Sequence, residues 1–144
     1  IGGDRHTCTL TALEDSEVCV LPYALIEEMS RDIPALQRQL HSVLAREIVR
    51  DHGVMMLLGS MRAEERLATF LLNLSRRFVR RGYSSSDFHL RMTREEIGSY
   101  LGLKLETVSR LFSAFQRDGL IEVQQKHVRI RDIGGVERVL AARH

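Results

Sequence analysis

Three side chains stand out for what their spacing lets them do: Glu106, Ser109 and Arg110. Positions three and four apart share one face of an α-helix, while Val108 and Leu111 of the same stretch fall on the other. A guanidinium can fork onto O6 and N7 of a guanine, a carboxylate can accept from a cytosine amino group, and a hydroxyl adapts to either role. Set at the N-terminal end of a helix that enters a major groove, the three could read a short half-site. The same spacing also allows a plain surface ion pair between Glu106 and Arg110, and a pre-formed pair could still be a reading unit. Enzymatic chemistry has no comparable footing. There is no nucleophile–base pair, no metal-ligand spacing and no phosphate-cradling glycine loop, and the six histidines are scattered singly, so no enzyme is expected.

The elements that must position this trio can be read around it. Thr93-Arg94-Glu95-Glu96 matches a capping box, in which the threonine hydroxyl and the Glu96 carboxylate satisfy each other's backbone donors and fix a helix start. Gly98 is the small residue needed where two helices cross closely, Gly102 supplies a tight turn, and Ile97, Leu101, Leu103, Val108 and Leu111 fill the positions that hold such a pair together. This is a helix-turn-helix pattern, with the second helix running Glu106 to Phe115. After Gly119, Leu120-Ile121-Glu122-Val123, a polar tip at Gln124-Gln125-Lys126-His127 and the alternating Val128-Arg129-Ile130-Arg131 read as a β-hairpin, a wing. Arg94 and Thr107 near the helix starts, Lys126 at the wing tip, and Arg129 or Arg131 on the wing are placed to meet phosphates. Taken singly, any one of these arginines reads first as a solvated surface charge.

Upstream, Arg62 to Arg80 carries Leu67, Phe70, Leu71, Leu74 and Phe78 at helical spacing, and Gly82 to Asp87 ends it as a polar loop. Before it, Pro34 opens a long breaker-free helix reaching about Gly59. One of its stripes, Leu36, Leu40, Val43, Val54 and Leu57, is expected to pack on a preceding β-domain. A second, His41, Leu44, Ile48, Asp51, Met55 and Leu58, alternates steps of three and four and traces a coiled-coil seam, for which the simplest partner is the same helix of another chain. Asp51 interrupts the seam: paired across a symmetric dimer it would weaken association, and on a helix that does not dimerise it would simply face water. Pro22 opens a short helix at Tyr23–Met29, and Thr9-Leu10-Thr11 and Val18-Cys19-Val20-Leu21 read as strands, the end of a β-domain.

The chain of 144 residues, 44% hydrophobic and 28% charged, is composed like an ordinary globular protein, with no apolar run of the ~18 residues a membrane span needs. It reads as cytoplasmic, and because it begins Ile-Gly-Gly it is taken as part of something longer. The net charge of +2 hides an asymmetry: residues 1–61 carry −4 and residues 62–144 carry +6, as expected for a sensor or dimer module joined to a nucleic-acid binder. Nineteen of the 21 basic residues are arginine, which suits bidentate recognition of phosphate and guanine. Two cysteines, Cys8 and Cys19, suit a reducing compartment or a metal role better than a disulfide scaffold. The expected fold is therefore mainly α with small β parts. Residues 1–33 would be the C-terminal remnant of a β-roll sensor domain, 34–59 a dimerisation helix and 60–144 a winged helix-turn-helix domain.

Met92 to Leu103 followed by Glu106-Thr107-Val108-Ser109-Arg110, with Ala63-Glu64-Glu65-Arg66-Leu67-Ala68 and Asn73-Leu74-Ser75-Arg76-Arg77-Phe78 upstream, closely resembles the fumarate and nitrate reduction regulators (FNR). These are the oxygen-sensing branch of the cyclic-AMP receptor protein superfamily. The resemblance implies a homodimeric transcription regulator that binds a TTGAT-type palindrome on double-stranded DNA, with Glu106, Ser109 and Arg110 as its base-reading set. Leu105, where cyclic-AMP receptor proteins have a further arginine, favours the FNR-type half-site. It further implies that the loop Phe78 to Phe88, with Arg81, Gly82, Tyr83 and Ser84, touches RNA polymerase, and that Ile48 and Asp51 lie on the dimer helix, the aspartate keeping the inactive dimer apart. Cys19 falls where the family places the fourth thiolate of a [4Fe–4S] cluster; read without the resemblance, it is a small buried strand residue. A cluster normally takes four thiolates, Cys8 matches nothing in the family, and the other three ligands belong to an N-terminal segment, so no iron is expected on this chain by itself. Lys104 departs from the family, standing where relatives have a threonine or serine cap. Two other readings stay open: a regulator of the same superfamily with a different signal, and a winged helix that binds protein.

Overall fold

The computed structural model describes residues 9–141, and Cys8 lies outside them. The chain divides into two units, residues 1–41 and 42–144. No helix among the described residues is long and apolar enough to cross a membrane.

The first unit holds helix α1 (Tyr23–Asp32) and the opening turns of α2 (Pro34–Ser60). Pro22, extended at φ −62° and ψ 124°, leads into α1. Pro34 is the first residue of α2, where a missing N–H removes no intrahelical bond. Between them Ile33 donates its N–H to Met29 O at 3.0 Å and accepts from Leu36 and Gln37. The strands expected between residues 9 and 21 do not form. β-branched alternation favours extended backbone, but a strand is held by bonds to a neighbouring strand, and Thr9 to Leu21 has none among the described residues. Leu10 and Val20 are accordingly 97% and 84% exposed.

The second unit contains α3 (Ala63–Arg80), β1 (Asp87–His89), α4 (Arg94–Leu101), α5 (Leu105–Arg117), β2 (Ile121–Gln124), β3 (His127–Ile130) and α6 (Ile133–Ala141). The α3 stripe Leu67, Ala68, Phe70, Leu71 and Leu72 is buried against Ile97 and Leu101 of α4, Val108, Leu111, Phe112 and Phe115 of α5, and Val136 of α6. Each large side chain so buried contributes roughly 1.5–3 kcal/mol. Leu57 joins this same core, 4% exposed. That corrects the expectation that its stripe packs on a β-domain: the end of α2 belongs to the helical core, where Leu57 is buried and Arg66 of α3 donates to Leu58 O.

The sheet is antiparallel in the order β1-β3-β2, with Phe88 opposite Val128 and Ile121 opposite Ile130. Those four side chains face inward, and Asp87, Glu122 and Arg129 alternate outward. The helix-turn-helix and the wing are where the sequence puts them. Two elements were not anticipated. β1 is only three residues and exists by pairing with β3, whereas α6 had a local signal, Asp132 accepting from Gly135 N–H at 2.8 Å as a helix cap before Val136, Val139 and Leu140.

Candidate nucleic-acid interface

The start of α4 is set by two reciprocal bonds: Thr93 N–H donates to Glu96 Oε2 at 2.7 Å, and Glu96 N–H donates to Thr93 Oγ1 at 3.2 Å. Those bonds, the backbone donor first, hold the Glu96 carboxyl below its ordinary range, and the Lys126 ammonium adds to the effect from the wing tip. Helix α4 ends on Gly102, whose φ of +62° is the left-handed conformation glycine adopts without strain. Gly98 marks the crossing of the two helices. A Cβ there would lie 2.6 Å from Leu103 O and 3.5 Å from Val108 Cγ2, so only glycine lets α5 approach this closely.

Helix α5 starts at Lys104 without a side-chain cap. Its inner face, Val108, Leu111, Phe112 and Phe115, is buried, which turns Glu106, Ser109 and Arg110 outward, all exposed. No ion pair joins Glu106 to Arg110 among the described residues. A carboxylate, a hydroxyl and a guanidinium thus stand on one outward face with their polar groups turned to solvent, and Thr107 beside them is half-buried.

The expected phosphate contacts fall into two groups. Lys126 is exposed at the wing tip, its carbonyl accepting from Leu90 N–H at 2.7 Å and so fastening the tip beside the start of α4. Leu90, Met92, Thr93, Arg94, Gln125 and Lys126 line the groove left between them. Arg94, in contrast, is half-buried with its guanidinium carbon 3.3 Å from the centroid of the Phe112 ring, a cation–π contact between the two helices. Burial lowers its pKa from the ordinary arginine value. The wing arginines are also engaged. Arg129 donates to Asp87 Oδ2 from Nε at 3.0 Å and from Nη2 at 2.9 Å, His127 adjoins the other Asp87 oxygen, and Arg131 pairs with Glu122. The Arg131 bond holds the Glu122 carboxyl below its ordinary range.

On α2, His41, Leu44, Ile48, Asp51 and Met55 are all exposed, Ile48 by 59% and Met55 by 66%. The expected seam is therefore an uncovered apolar stripe broken by one carboxylate. In the loop after α3, Gly82 takes φ +80° and donates to Val79 O at 2.9 Å, while Tyr83 N–H reaches Phe78 O at 2.9 Å. The Tyr83 ring stands edge-on to Phe78, and Ser84 Oγ accepts from Asp87 N–H at 3.1 Å, so Arg81 to Ser84 form a shaped, exposed projection. Cys19 is neither buried nor in a strand; its thiol is free and exposed. It could supply one thiolate to a cluster, and no group of three metal-ligating side chains exists among the described residues, so these residues do not by themselves fit a [4Fe–4S] centre.

Comparison with known proteins places the fold that carries this surface. Residues 65–139 match the model of the Crp-like helix-turn-helix domain. The chain is 52% identical over 136 residues to the transcriptional regulatory protein btr of Bordetella pertussis, covering 94% of this chain and 56% of that protein. It is 48% identical over 133 residues to the transcriptional activator protein FnrA of Stutzerimonas stutzeri, covering 92% and 54%. Among solved structures, FixK2 from Bradyrhizobium japonicum superposes with a TM-score of 0.75 at 32% identity, over 84% of this chain and 60% of that one. The chain spans about half the length of the curated relatives it matches.

Proposed function

Since the chain belongs to the Crp-like helix-turn-helix family, on its FNR side, whose members are transcription regulators and not enzymes, we propose that it is the DNA-reading and self-associating part of an FNR-type regulator. The observation that carries the proposal is the outward face of α5, where Glu106, Ser109 and Arg110 are exposed over a fully packed inner face. In this reading α5 lies in the major groove. Arg110 forks onto a guanine, Glu106 accepts from a cytosine amino group, and Ser109 takes the remaining edge.

Lys126 and Thr107 meet the flanking phosphates, and Arg94 joins them from its seat on Phe112. The wing arginines Arg129 and Arg131 hold the sheet together through Asp87 and Glu122. Two copies pair through the α2 stripe His41, Leu44, Ile48 and Met55, which Asp51 weakens, and the two reading helices then lie about 34 Å apart, one turn of duplex. The projection Arg81 to Ser84 is the surface offered to RNA polymerase. An oxygen response in the longer protein would use Cys19 as one thiolate among four, the cluster supplying the oxygen-labile signal.

The test is equilibrium binding of this chain, across several salt concentrations, to three duplexes: TTGAT-N4-ATCAA, its scrambled control and a TGTGA-type palindrome. Preference for the first is the expected outcome. Salt-sensitive binding without preference removes the base-reading assignment, and no binding even at low salt favours a winged helix that docks on protein.

A further inference from the structure

Arg66, in the first turn of α3, gives its guanidinium to four main-chain carbonyls from three places in the chain. Nη2 donates to Leu58 O at 2.8 Å, in the last turn of α2. Nε donates to Met61 O at 2.9 Å, in the connection to α3. Nη1 donates to Leu101 O at 3.0 Å and, at longer range, to Gly102 O at 3.5 Å, where α4 ends. The last carbonyls of a helix lack intrahelical partners and carry the negative end of its dipole. One cation therefore caps two helices at once. The same junction is closed sterically, since a Cβ on Gly102 would lie 3.0 Å from Leu58 Cδ2 and 3.3 Å from Arg66 Nη1. Only a rigid fork with several directed donors can hold carbonyls from three places in the chain together in this way; a lysine ammonium on its flexible stem cannot.

Helix α2 carries the seam assigned to self-association, and α4 is the first helix of the reading hairpin. We propose that Arg66 is a positioning residue that fixes the angle between the pairing helix and the DNA-reading head, and so sets the one half-site spacing that a dimer accepts. This rests on the reading of the chain as a dimeric DNA binder. The donors of Arg66 are directed at main-chain carbonyls and not at a ligand, so a single head needs Arg66 only for stability. Two heads reading together need it for their separation.

The experiment compares the unmodified chain, Arg66→Gln and Arg66→Lys on three duplexes: one TTGAT half-site, TTGAT-N4-ATCAA, and the same two half-sites moved apart by about half a helical turn, ~5 base pairs. The unmodified chain is expected to favour the N4 duplex over the stretched one by about tenfold or more, the gain of two linked contacts over one. Arg66→Gln should keep its single half-site affinity within about twofold while that preference falls below about threefold, with Arg66→Lys intermediate. An undiminished preference in Arg66→Gln overturns the proposal. So does a parallel loss on the single half-site and the palindrome, which is what general destabilisation produces. Should Arg66→Gln not fold, Arg66→Lys, which keeps the charge and the stem, is judged by the same criteria. An unmodified chain that reads the half-site but ignores spacing overturns the dimeric reading itself, and the Arg66 assignment with it.

Discussion

At the scale of single residues, the outward trio was legible because a helix sorts its side chains by period, and the apolar positions Val108, Leu111 and Phe112 leave Glu106, Ser109 and Arg110 no other face. The arginines were not sorted this way. Arg94 sits on Phe112, eighteen residues later in the chain, and Arg129 pairs with Asp87, forty-two residues earlier. Such partners are fixed by tertiary contact, and neither period nor spacing announces them. The proposed base-reading role has a direct consequence. Arg110→Ala should cost roughly 1–3 kcal/mol on the specific duplex and little on random DNA, as measured by fluorescence anisotropy on both. Equal losses on the two would make Arg110 a phosphate contact. Thermal stability should hardly change, because the side chain is exposed and supports no packing.

At the scale of elements, the capping box, the glycine turn and the hairpin were legible because each is a local code, and all three stand where it put them. β1 was not, since three residues make a strand only when β3 lies alongside. The two strands expected before Pro22 failed for the complementary reason, an extended pattern without a neighbour. The cap of α4 makes this element sensitive to acid. Glu96 has its carboxyl pKa lowered in the folded state, so its contribution is fully present above the unfolded value and is lost as pH falls through the folded one. Glu122, lowered by Arg131, follows the same course on the wing. In denaturation series across pH, Glu96→Gln should therefore differ most from the unmodified chain near neutrality and converge with it well below the carboxylate range. A constant difference would mean that the charge plays no part. Thr93→Ala, which removes the other half of the box, should cost about 1 kcal/mol near neutrality and less below the carboxylate range, because the Thr93 hydroxyl also helps to hold Glu96 ionised. Gly98→Ala is the steric counterpart. A Cβ 2.6 Å from Leu103 O must push α5 away from α4, so it should lower stability by roughly 1–3 kcal/mol and weaken DNA binding together, in thermal melts and anisotropy run on one sample.

At the scale of the whole molecule, the governing feature is an apolar stripe on α2 that the described residues leave open. Leu44, Ile48 and Met55 are exposed on a 27-residue helix, an arrangement that costs solvation unless something covers it. A second copy is the occupant that fits a seam of alternating three and four steps, yet a symmetric pairing brings the two Asp51 carboxylates toward each other. Two like charges about 4 Å apart in water repel by about 1 kcal/mol, and by more as the seam dries. If the stripe pairs as proposed, Asp51 would limit how much association it alone can drive. Asp51→Ala should tighten self-association by roughly fivefold or more, the equilibrium equivalent of that repulsion, in sedimentation equilibrium at moderate salt. Asp51→Asn, which removes the charge and keeps the shape, should give most of the same gain. High salt should narrow the difference between Asp51→Ala and the unmodified chain, because screening weakens a repulsion that still reaches solvent. Unchanged association in both variants would place Asp51 outside the seam, facing water on a helix whose apolar stripe is covered by something other than its own copy.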